Sequence, residues 1–457
     1  MSTDGMIPHW QIDAAVTPAM VAGLPELARV DVLVVGGGAA GVAAATVAAE
    51  AGCITLLVER YGFCGGAAVA GMSGTICGLY LASEMRNQPE QVVFGFTERF
   101  RARLAARGGL TRPQIYGKTF TVTHDPLMWR ETADDFLREA GVRILFHTAL
   151  AAPIVDNGLH LGAVLDSNAG RSVVWAARTV DASGDAAVVA RAGLSWTFGD
   201  RGVVQNPTMF FRLGGVDLPR YVAYWGDDTI CPPKVTEAIA AAQAQGRILP
   251  RNKIWVFPTT RPGELLVNAT RLTAADGRML NVLDPEDFTI GEIDGRRQVR
   301  EYARFFRDTV PGCEDSYVID TGIEVGIRQT RSVVGAEKLH NDDVVACRKR
   351  DDGICRVPWP IELHTGEKPK LHWLLDDWYE VPYHALVPQQ GEDLIVAGRC
   401  LSAEHEALAS ARVTAQCFEY GHAAGAAAAL SIAERVRLRD LPVGQLRRRM
   451  RTGGSAL

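Results

Sequence analysis

Three features that often reveal the class of a protein are missing from this sequence. The nine cysteines never form a Cys-x-x-Cys pair, which argues against a zinc site, a disulfide framework or a redox-active pair. The first 29 residues carry Asp4, Asp13 and Glu26 and lack the positive start and apolar run of a signal peptide. No apolar run is long enough to span a membrane. These absences predict a cytoplasmic protein with reduced thiols and no membrane partner.

An excess of positive charge is also missing. The net charge of −5 and the pI of about 6.1 provide no basic field for a polyanion, so nucleic acid is excluded as an expected partner. A small-molecule substrate is expected instead. With 457 residues, of which 47% are hydrophobic, the chain is long enough for two or three domains around a large core. The sequence leaves open whether copies of the chain form a homo-oligomer.

The strongest local pattern lies between residues 30 and 60. Residues 30–35 form a β-branched apolar run that is typical of a buried parallel strand, and residues 54–58 form a second. Between them, a glycine-rich turn leads into an alanine-rich stretch that predicts a helix as far as Ala51. The pattern therefore predicts a βαβ unit.

The turn carries the Gly-x-Gly-x-x-Gly spacing of a dinucleotide site. Gly36 permits the tight turn, Gly38 lets the backbone approach a pyrophosphate, and Gly41 allows close packing of helix on strand. The start of the helix offers unpaired N–H groups to phosphate. Glu59, at the end of the second strand, is placed to accept hydrogen bonds from the adenosine ribose.

The fingerprint alone fits NAD as well as FAD, and a later segment favours FAD. Residues 393–399 restore the buried-strand pattern, and residues 412–432 predict a long helix. A helix that starts near residues 411–414 would direct its dipole at the flavin N1–C2=O edge, where negative charge develops on reduction. The sequence therefore predicts FAD as the cofactor.

The fold class predicted is α/β. A Rossmann-type FAD-binding domain, with a parallel sheet plus a small antiparallel sheet, contains an inserted mixed-sheet substrate domain, because residues 200–390 change to short strand-like runs rich in Pro and Gly. The expected boundaries are a leader at 1–29, the FAD-binding domain at 30–200 and 391–440, the substrate domain at 201–390, and a C-terminal helix or tail at 441–457.

Several longer motifs resemble one known family. They are ERYGFCGGAAVAG at 59–71, MFFRLGGVD at 209–217, GIRQTRSVVGAEKL at 326–339, and the segment from VPYHALVPQQ to GHAAGAAAAL at 381–430. On these motifs the chain resembles the FAD-dependent oxidoreductases of the glutathione-reductase-like superfamily, the two-dinucleotide-binding-domain flavoproteins, over about residues 30–440.

The resemblance implies a set of cofactor contacts. Glu59 and Arg60 would hold the adenosine side, the segment 65–67 would approach the diphosphate and ribityl, and Arg399 and Arg412 would lie at the flavin end. With the fingerprint, the full set is Gly36, Gly38, Ala39, Ala40, Gly41, Glu59, Arg60, Gly65, Gly66, Ala67, Leu150, Ala182, Gly184, Asp185, Gly398, Arg399, Arg412 and Thr414. Cys64 departs from the family motif, and packing, a redox thiol and covalent flavin attachment are its alternative roles.

The type of reaction is predicted from the other sequence features that a flavoenzyme of each class requires. The sequence has one dinucleotide fingerprint and no cysteine pair, so a reductase that draws on NAD(P)H through its own domain is excluded. We expect a dehydrogenase or oxidase, in which a small organic substrate gives a hydride to flavin N5, and O₂, a quinone or a protein takes the electrons. A flavin monooxygenase and an electron-transfer subunit are the alternatives, and the reverse reaction, reduction of an activated alkene, stays open.

Three residues are candidates for catalysis, each with a packing role as the alternative. His405 follows the predicted flavin-proximal strand and is the first candidate for a base, and His384 is the second. Arg331, together with Arg328, has the donor geometry to anchor a carboxylate. Aromatic residues that would wall a substrate pocket, or pack in the core, are Trp359, Trp373, Trp378, Tyr379 and Tyr383. No metal site is expected.

Overall fold

The fold is taken from a computed structural model that describes residue 12 and residues 14–85, 88–364 and 369–457. Twelve α-helices lie in these ranges. They are α1 (Ala39–Glu50), α2 (Gly66–Val69), α3 (Phe96–Ala106), α4 (Pro126–Glu139), α5 (Ala187–Arg191), α6 (Leu218–Trp225), α7 (Pro233–Ala244), α8 (Pro285–Thr309), α9 (Asn341–Val345), α10 (His405–Ala411), α11 (Thr414–Glu434) and α12 (Val443–Thr452). Short 3₁₀ turns occur at Pro18–Val21, Tyr383–Ala385 and Leu438–Asp440.

Twenty strands are present in the same ranges. They are β1 (Glu26–Val35), β2 (Thr55–Val58), β3 (Thr75–Ile76), β4 (Gln114–Tyr116), β5 (Thr119–Thr123), β6 (Arg143–Leu145), β7 (Ala149–Asp156), β8 (Leu159–Ser167), β9 (Gly170–Asp181), β10 (Trp196–Phe198), β11 (Phe211–Gly214), β12 (Trp255–Pro258), β13 (Leu265–Asn268), β14 (Tyr317–Thr321), β15 (Arg331–Val333), β16 (Gly353–Val357), β17 (Ile361–Leu363), β18 (Lys370–His372), β19 (Tyr379–Pro382) and β20 (Leu394–Val396).

The main sheet has seven strands and confirms the predicted α/β class. Its order is β6-β2-β1-β9-β8-β7, and β20 pairs with the last residues of β9. Strands β6, β2, β1, β9 and β20 run parallel, whereas β8 pairs antiparallel with β9 and β7 pairs antiparallel with β8. The long strand β9 therefore pairs with β8 along its first half and with β20 at its end. The late strand predicted at 393–399 is present as β20 and joins the main sheet in this way.

The predicted βαβ unit is present, but its first strand is longer than expected. Strand β1 begins at Glu26, inside the segment assigned to the leader, because residues 26–30 pair with β9 across an irregularity after Glu26. Residues 1–11 and 13 of that leader lie outside the described residues. At the other end of the chain, α12 buries Leu446 and Met450, while Arg448, Arg449 and Arg451 are exposed.

A second hydrophobic core lies within residues 201–390. Four strands form an antiparallel sheet in the order β12-β13-β11-β14, and they include the three strand-like runs that the sequence shows near 211, 255 and 265. Helix α8, which the sequence analysis did not single out, packs on this sheet and buries Tyr302, Phe305 and Phe306. The inserted region is thus a mixed layer of sheet and helices.

All nine cysteines lie in the described part of the chain, and none is disulfide-bonded. Among the same residues, no helix combines the length and the apolar character needed to cross a bilayer.

Candidate functional site

The carboxyl ends of four parallel strands meet at one edge of the main sheet. Val35 of β1 is in register with Val58 of β2 and with Asp181 of β9, and Asp181 is in register with Val396 of β20. The segments that follow these strands are therefore brought together, which is where α/β folds bind their ligands. The predicted cofactor residues near 36, 59, 182 and 398 all come directly after one of these strand ends.

The glycine-rich turn is built for close backbone contact. Gly36 has a φ of +103°, and a Cβ atom there would lie 2.5 Å from the carbonyl oxygen of Ala182. A Cβ on Gly66 would lie 3.1 Å from the Cα of Gly38, so two backbone segments face each other. Helix α1 begins after Gly38 without a side-chain cap, which leaves its first N–H groups for a phosphate.

Glu59 is fixed by the backbone on both carboxylate oxygens. Its Oε2 accepts a hydrogen bond from the Gly37 N–H at 2.6 Å, and its Oε1 accepts one from the Tyr61 N–H at 2.9 Å. Arg60 and the Tyr61 hydroxyl both donate to Glu324, which comes from the inserted region. Burial raises the pKa of Glu324, although Arg60 opposes the shift. No local sequence pattern predicts this contact, because 263 positions separate Tyr61 from Glu324.

A second charged cluster lies beside the end of β9. Arg399 donates to Asp185 Oδ1 at 2.5 Å, and the hydroxyl of Thr330 donates to the same oxygen at 2.7 Å. Burial raises the pKa of Asp185, but the charge of Arg399 and the hydrogen bonds from Thr330 and Arg399 together outweigh it, and the net shift is downward. Asp185 is therefore ionised and holds the start of the closing segment.

These segments line one cavity of about 350 Å³. Every cofactor residue expected from the sequence lines it except Gly41. A Cβ on Gly41 would lie 1.8 Å from the oxygen of Gly36, so Gly41 serves the close packing of α1 on the turn. The site fits a dinucleotide with a pyrophosphate and a ribose. It offers a helix start without a side-chain cap, the buried carboxylate of Glu59 and two glycines that face each other. The sequence analysis did not name Tyr61, Thr148, Arg191 and Glu324, which also line the cavity.

The start of helix α11 contributes another part of the cavity wall. The helix starts at Thr414, within the predicted range, and Arg412, Val413, Thr414 and Cys417 line the cavity. Its first N–H groups have no side-chain cap. This helix start therefore fits the role expected for it, stabilisation of negative charge on a bound flavin.

The same cavity reaches residues of the inserted region. This part is lined by Phe210, Phe257, Asn268, Arg328, Trp359, Glu362 and His364, together with Tyr116 of strand β4. Glu362 and His364 lie at the end of strand β17 and are two residues apart, so strand alternation places both side chains on one face. An alternating Glu-x-His pair in a strand was the sequence signal for them, and the sequence analysis missed it.

Glu362 and His364 form a buried hydrogen-bonded pair. The Glu362 Oε1 atom accepts a hydrogen bond from the Tyr116 hydroxyl at 2.6 Å and lies 3.4 Å from the His364 Nε2 atom. Burial lowers the pKa of His364, and the neighbouring charge of Arg328 lowers it further. Burial raises the pKa of Glu362, but His364, Tyr116 and Arg412 outweigh it and the net shift is downward. Glu362 is therefore ionised beside a neutral imidazole.

The three catalytic candidates from the sequence do not line this cavity. His405 begins helix α10, and burial lowers its pKa. The Nε2 atom of His384 is 3.2 Å from the backbone oxygen of Arg439. Arg331 donates to the backbone oxygen of Asp185 at 3.3 Å and lies over the Trp196 ring. The three side chains are therefore held by contacts outside the cavity, although Arg331 touches the backbone of Asp185, which lines it.

The other residues predicted from the sequence also differ in whether they line the cavity. Of the five aromatic candidates, Trp359 lines the cavity, and Trp373, Trp378, Tyr379 and Tyr383 do not. Tyr379 and Tyr383 are fully buried in the main core. Cys64 is also fully buried, and its Sγ lies 2.8 Å from the position that a Cβ on Gly37 would take. This location fits the packing role of Cys64.

One of the comparisons with known proteins identifies the family of this chain. The family model described as FAD dependent oxidoreductase matches residues 31–450. A comparison with curated proteins gives no match. A geranylgeranyl bacteriochlorophyll reductase-like protein from Thermoplasma acidophilum is 16% identical, with a TM-score of 0.48 over 93% of this chain and 82% of that one.

Two further solved structures are similar at the same level. The p-nitrophenol 4-monooxygenase of Pseudomonas putida is 11% identical, with a TM-score of 0.47 over 90% of this chain and 81% of that one. A flavoprotein/dehydrogenase from Cytophaga hutchinsonii is 14% identical, with a TM-score of 0.46 over 89% of this chain and 79% of that one.

Proposed function

Because this chain belongs to the FAD dependent oxidoreductase family, we propose that it catalyses the two-electron oxidation of a small organic metabolite. Its cofactor is FAD, and it is an enzyme of the oxidoreductase class. Within the family, the ERYGFCGG segment at 59–66 supports the glutathione-reductase-like type. The proposal concerns the direction of the reaction and the source of the electrons.

One observation carries the proposal. A neutral histidine, hydrogen-bonded to an ionised glutamate, faces the same cavity as the dinucleotide cradle. Oxidation of an alcohol or amine carbon to a double bond releases one hydride and one proton, and the proton needs an acceptor beside the reacting carbon. FAD, when bound, supplies the acceptor for the hydride.

Residues of the inserted region and Tyr116 of strand β4 supply the rest. His364 accepts the proton from the substrate, and the carboxylate of Glu362 stabilises the imidazolium that results. The Tyr116 hydroxyl holds Glu362 in position through its hydrogen bond to Oε1. The buried rings of Phe257 and Trp359 exclude water from the reacting centre. His364 therefore takes the role that the sequence analysis assigned to His405 or His384.

An anaerobic screen of the holoenzyme tests the proposal. Alcohols, amines and carboxylic acids are added singly, without nicotinamide nucleotide, and loss of the flavin absorbance band is followed. We expect one chemical class to bleach the flavin in a single turnover. Bleaching by NADPH alone, followed by hydroxylation of a substrate in air, would instead identify a monooxygenase. Reduction only by another redox protein would identify an electron-transfer subunit.

A further inference from the structure

Three arginine side chains meet around the inserted-region part of the cavity. Arg328 and Arg412 line it, and the NH1 group of Arg251 is 3.3 Å from the Asn268 Oδ1 atom, which Arg328 also approaches. Arg251 is 2% exposed and Arg328 is 6% exposed. Such burial of a guanidinium is rare unless the group is paired with a negative charge.

The partners of these three groups are neutral. Arg328 donates to the backbone oxygen of Asn206 at 2.8 Å and lies 3.5 Å from Asn268 Oδ1, and Arg412 donates to Gln205 Oε1 at 3.0 Å. The Nε of Arg412 is buried and has no hydrogen-bond partner among the described residues. Within those residues, none of the three arginines has a carboxylate at ion-pair distance.

The local charge is therefore positive. Glu362 is the carboxylate of this part of the cavity, and it is already engaged by Tyr116 and His364. Burial lowers the pKa of Arg328, and repulsion from Arg251 and Arg412 lowers it further. Like charges held in a low-dielectric site are unfavourable until a ligand brings a compensating negative charge.

We infer that this part of the cavity binds the carboxylate of a small, mostly apolar acid, and that Arg328 is its anchor. The guanidinium fork matches a carboxylate through two parallel hydrogen bonds. An acid bound there would lie beside His364, whose Nδ1 is buried and has no hydrogen-bond partner among the described residues. That the acid is also the compound oxidised rests on the function proposed above.

The walls decide the character of the rest of the ligand. The ring of Tyr116 stacks at 6.2 Å on Phe257 and lies 5.0 Å from the ring of Trp359. Phe210 adds a fourth ring. Because these rings offer an apolar surface close to the guanidinium, the acid that fits best has one carboxylate and a flat or compact apolar body.

Binding to the oxidised holoenzyme tests the inference without turnover. Benzoate and its neutral counterpart benzamide are titrated separately at constant ionic strength, and the change in the flavin absorption spectrum is followed. We expect a dissociation constant for benzoate that is lower than that for benzamide by about tenfold or more, because a charge-assisted bidentate pair is stronger than a neutral hydrogen bond. Equal affinities, or chloride that competes as strongly as benzoate, would overturn the inference.

Variants assign the effect to Arg328. We expect Arg328→Met to remove the preference for benzoate over benzamide and Arg328→Lys to retain part of it, since Lys keeps the charge but loses the fork. The same substitution in an exposed ion pair, Arg220→Met, should leave the preference unchanged. A preference that survives in an Arg328→Met protein with full FAD content would overturn the assignment. If Arg328→Met loses FAD, the comparison of benzoate with benzamide on the unmodified enzyme still tests the inference.

The two proposals fail in different ways. If a neutral alcohol or amine bleaches the flavin and no acid does, the oxidation stands and the acid is not the substrate. If benzoate binds selectively but nothing except NADPH bleaches the flavin, the acid site stands and the direction of the reaction is wrong.

Discussion

At the scale of single residues, the cavity combines two kinds of residue. The residues of the cofactor site contribute mainly backbone groups and the close approach that glycines allow, and short sequence motifs identify them. Glu362 and His364 act through a pair of side chains whose partner, Tyr116, is far away in sequence. The Glu-x-His alternation alone is not specific, because the same spacing occurs in ordinary strands. Only the structure shows that these two side chains face the cavity, and this position makes them candidates for a function.

Replacement of His364 tests the proton acceptor. We expect His364→Gln to slow flavin reduction in anaerobic stopped-flow by about 10²-fold or more, because a glutamine side chain cannot take up the substrate proton. Once the screen has identified a substrate, that compound is used at saturation.

His405→Ala is the comparison, since His405 does not line the cavity. We expect the His405 variant to reduce its flavin at close to the normal rate. A slow His405 variant beside a fast His364 variant would restore the sequence-based candidate.

At the scale of elements, α1 and α11 cross at van der Waals contact through small residues. A Cβ on Gly421 would lie 2.0 Å from the Ala40 oxygen, and one on Gly425 would lie 2.3 Å from the Ala44 oxygen. Residues 415 and 416 and residues 418–431 of α11 are all buried. The sequence predicted both helices, but it did not predict their crossing, because alanine-rich helices have no distinct apolar face.

This crossing predicts a substitution that links stability to cofactor binding. Gly421→Ala should lower the free energy of unfolding by about 1–3 kcal/mol, because the added methyl has no room and must push α1 away. Since the first turn of α1 forms the phosphate cradle, the affinity for FAD should fall as well. Thermal unfolding and a fluorescence titration with FAD measure the two effects.

Gly444→Ala in α12 is the matched control. The nearest atom to its added Cβ is Arg448 NH1, at 3.8 Å, so we expect unchanged or slightly higher stability. If the Gly421 variant is as stable as this control, the two helices can move apart without a loss of free energy of unfolding, and the prediction is wrong.

At the scale of the whole molecule, the stability of the fold depends on keeping two buried histidines neutral. His124 and His160 are 3% exposed, and neither ring has a hydrogen-bond partner among the described residues. Burial lowers the pKa of each from 6.5 to about 4. An unfolded chain therefore binds protons at these two sites at a higher pH than the folded chain does.

The sign of the pH dependence follows. Both histidines are neutral in either state above pH 6.5, so their contribution to stability is complete there and is lost as the pH falls from 6.5 towards 4. The loss is on the order of 1.4 kcal/mol per pH unit for each histidine. Urea unfolding at pH 7 and at pH 4.5 measures it.

Replacing one histidine separates its contribution to the pH dependence of stability from the contribution of the carboxylates. His160→Leu should reduce the difference between the two pH values, whereas His372→Leu, at an exposed position, should leave it as in the unmodified protein. An unchanged difference in the His160 variant would contradict the assignment.

The sequence by itself determined the cofactor cradle, because its parts are local. A strand, a turn and a helix that follow one another within about 30 residues fix the geometry of the phosphate site. The long helix near residue 412 was predicted for the same reason. Gly36, Gly38 and Glu59 therefore needed no knowledge of the remaining chain.

Only the tertiary structure decided the part of the cavity that contains Glu362 and His364. Tyr116, Arg328 and Glu362 come from three separate segments, and it is the packing of the inserted region on the FAD-binding domain that brings them to one cavity. Burial and mutual charge then set the protonation states of Glu362 and His364. Both effects depend on distances between residues far apart in the chain, and no local pattern encodes such distances.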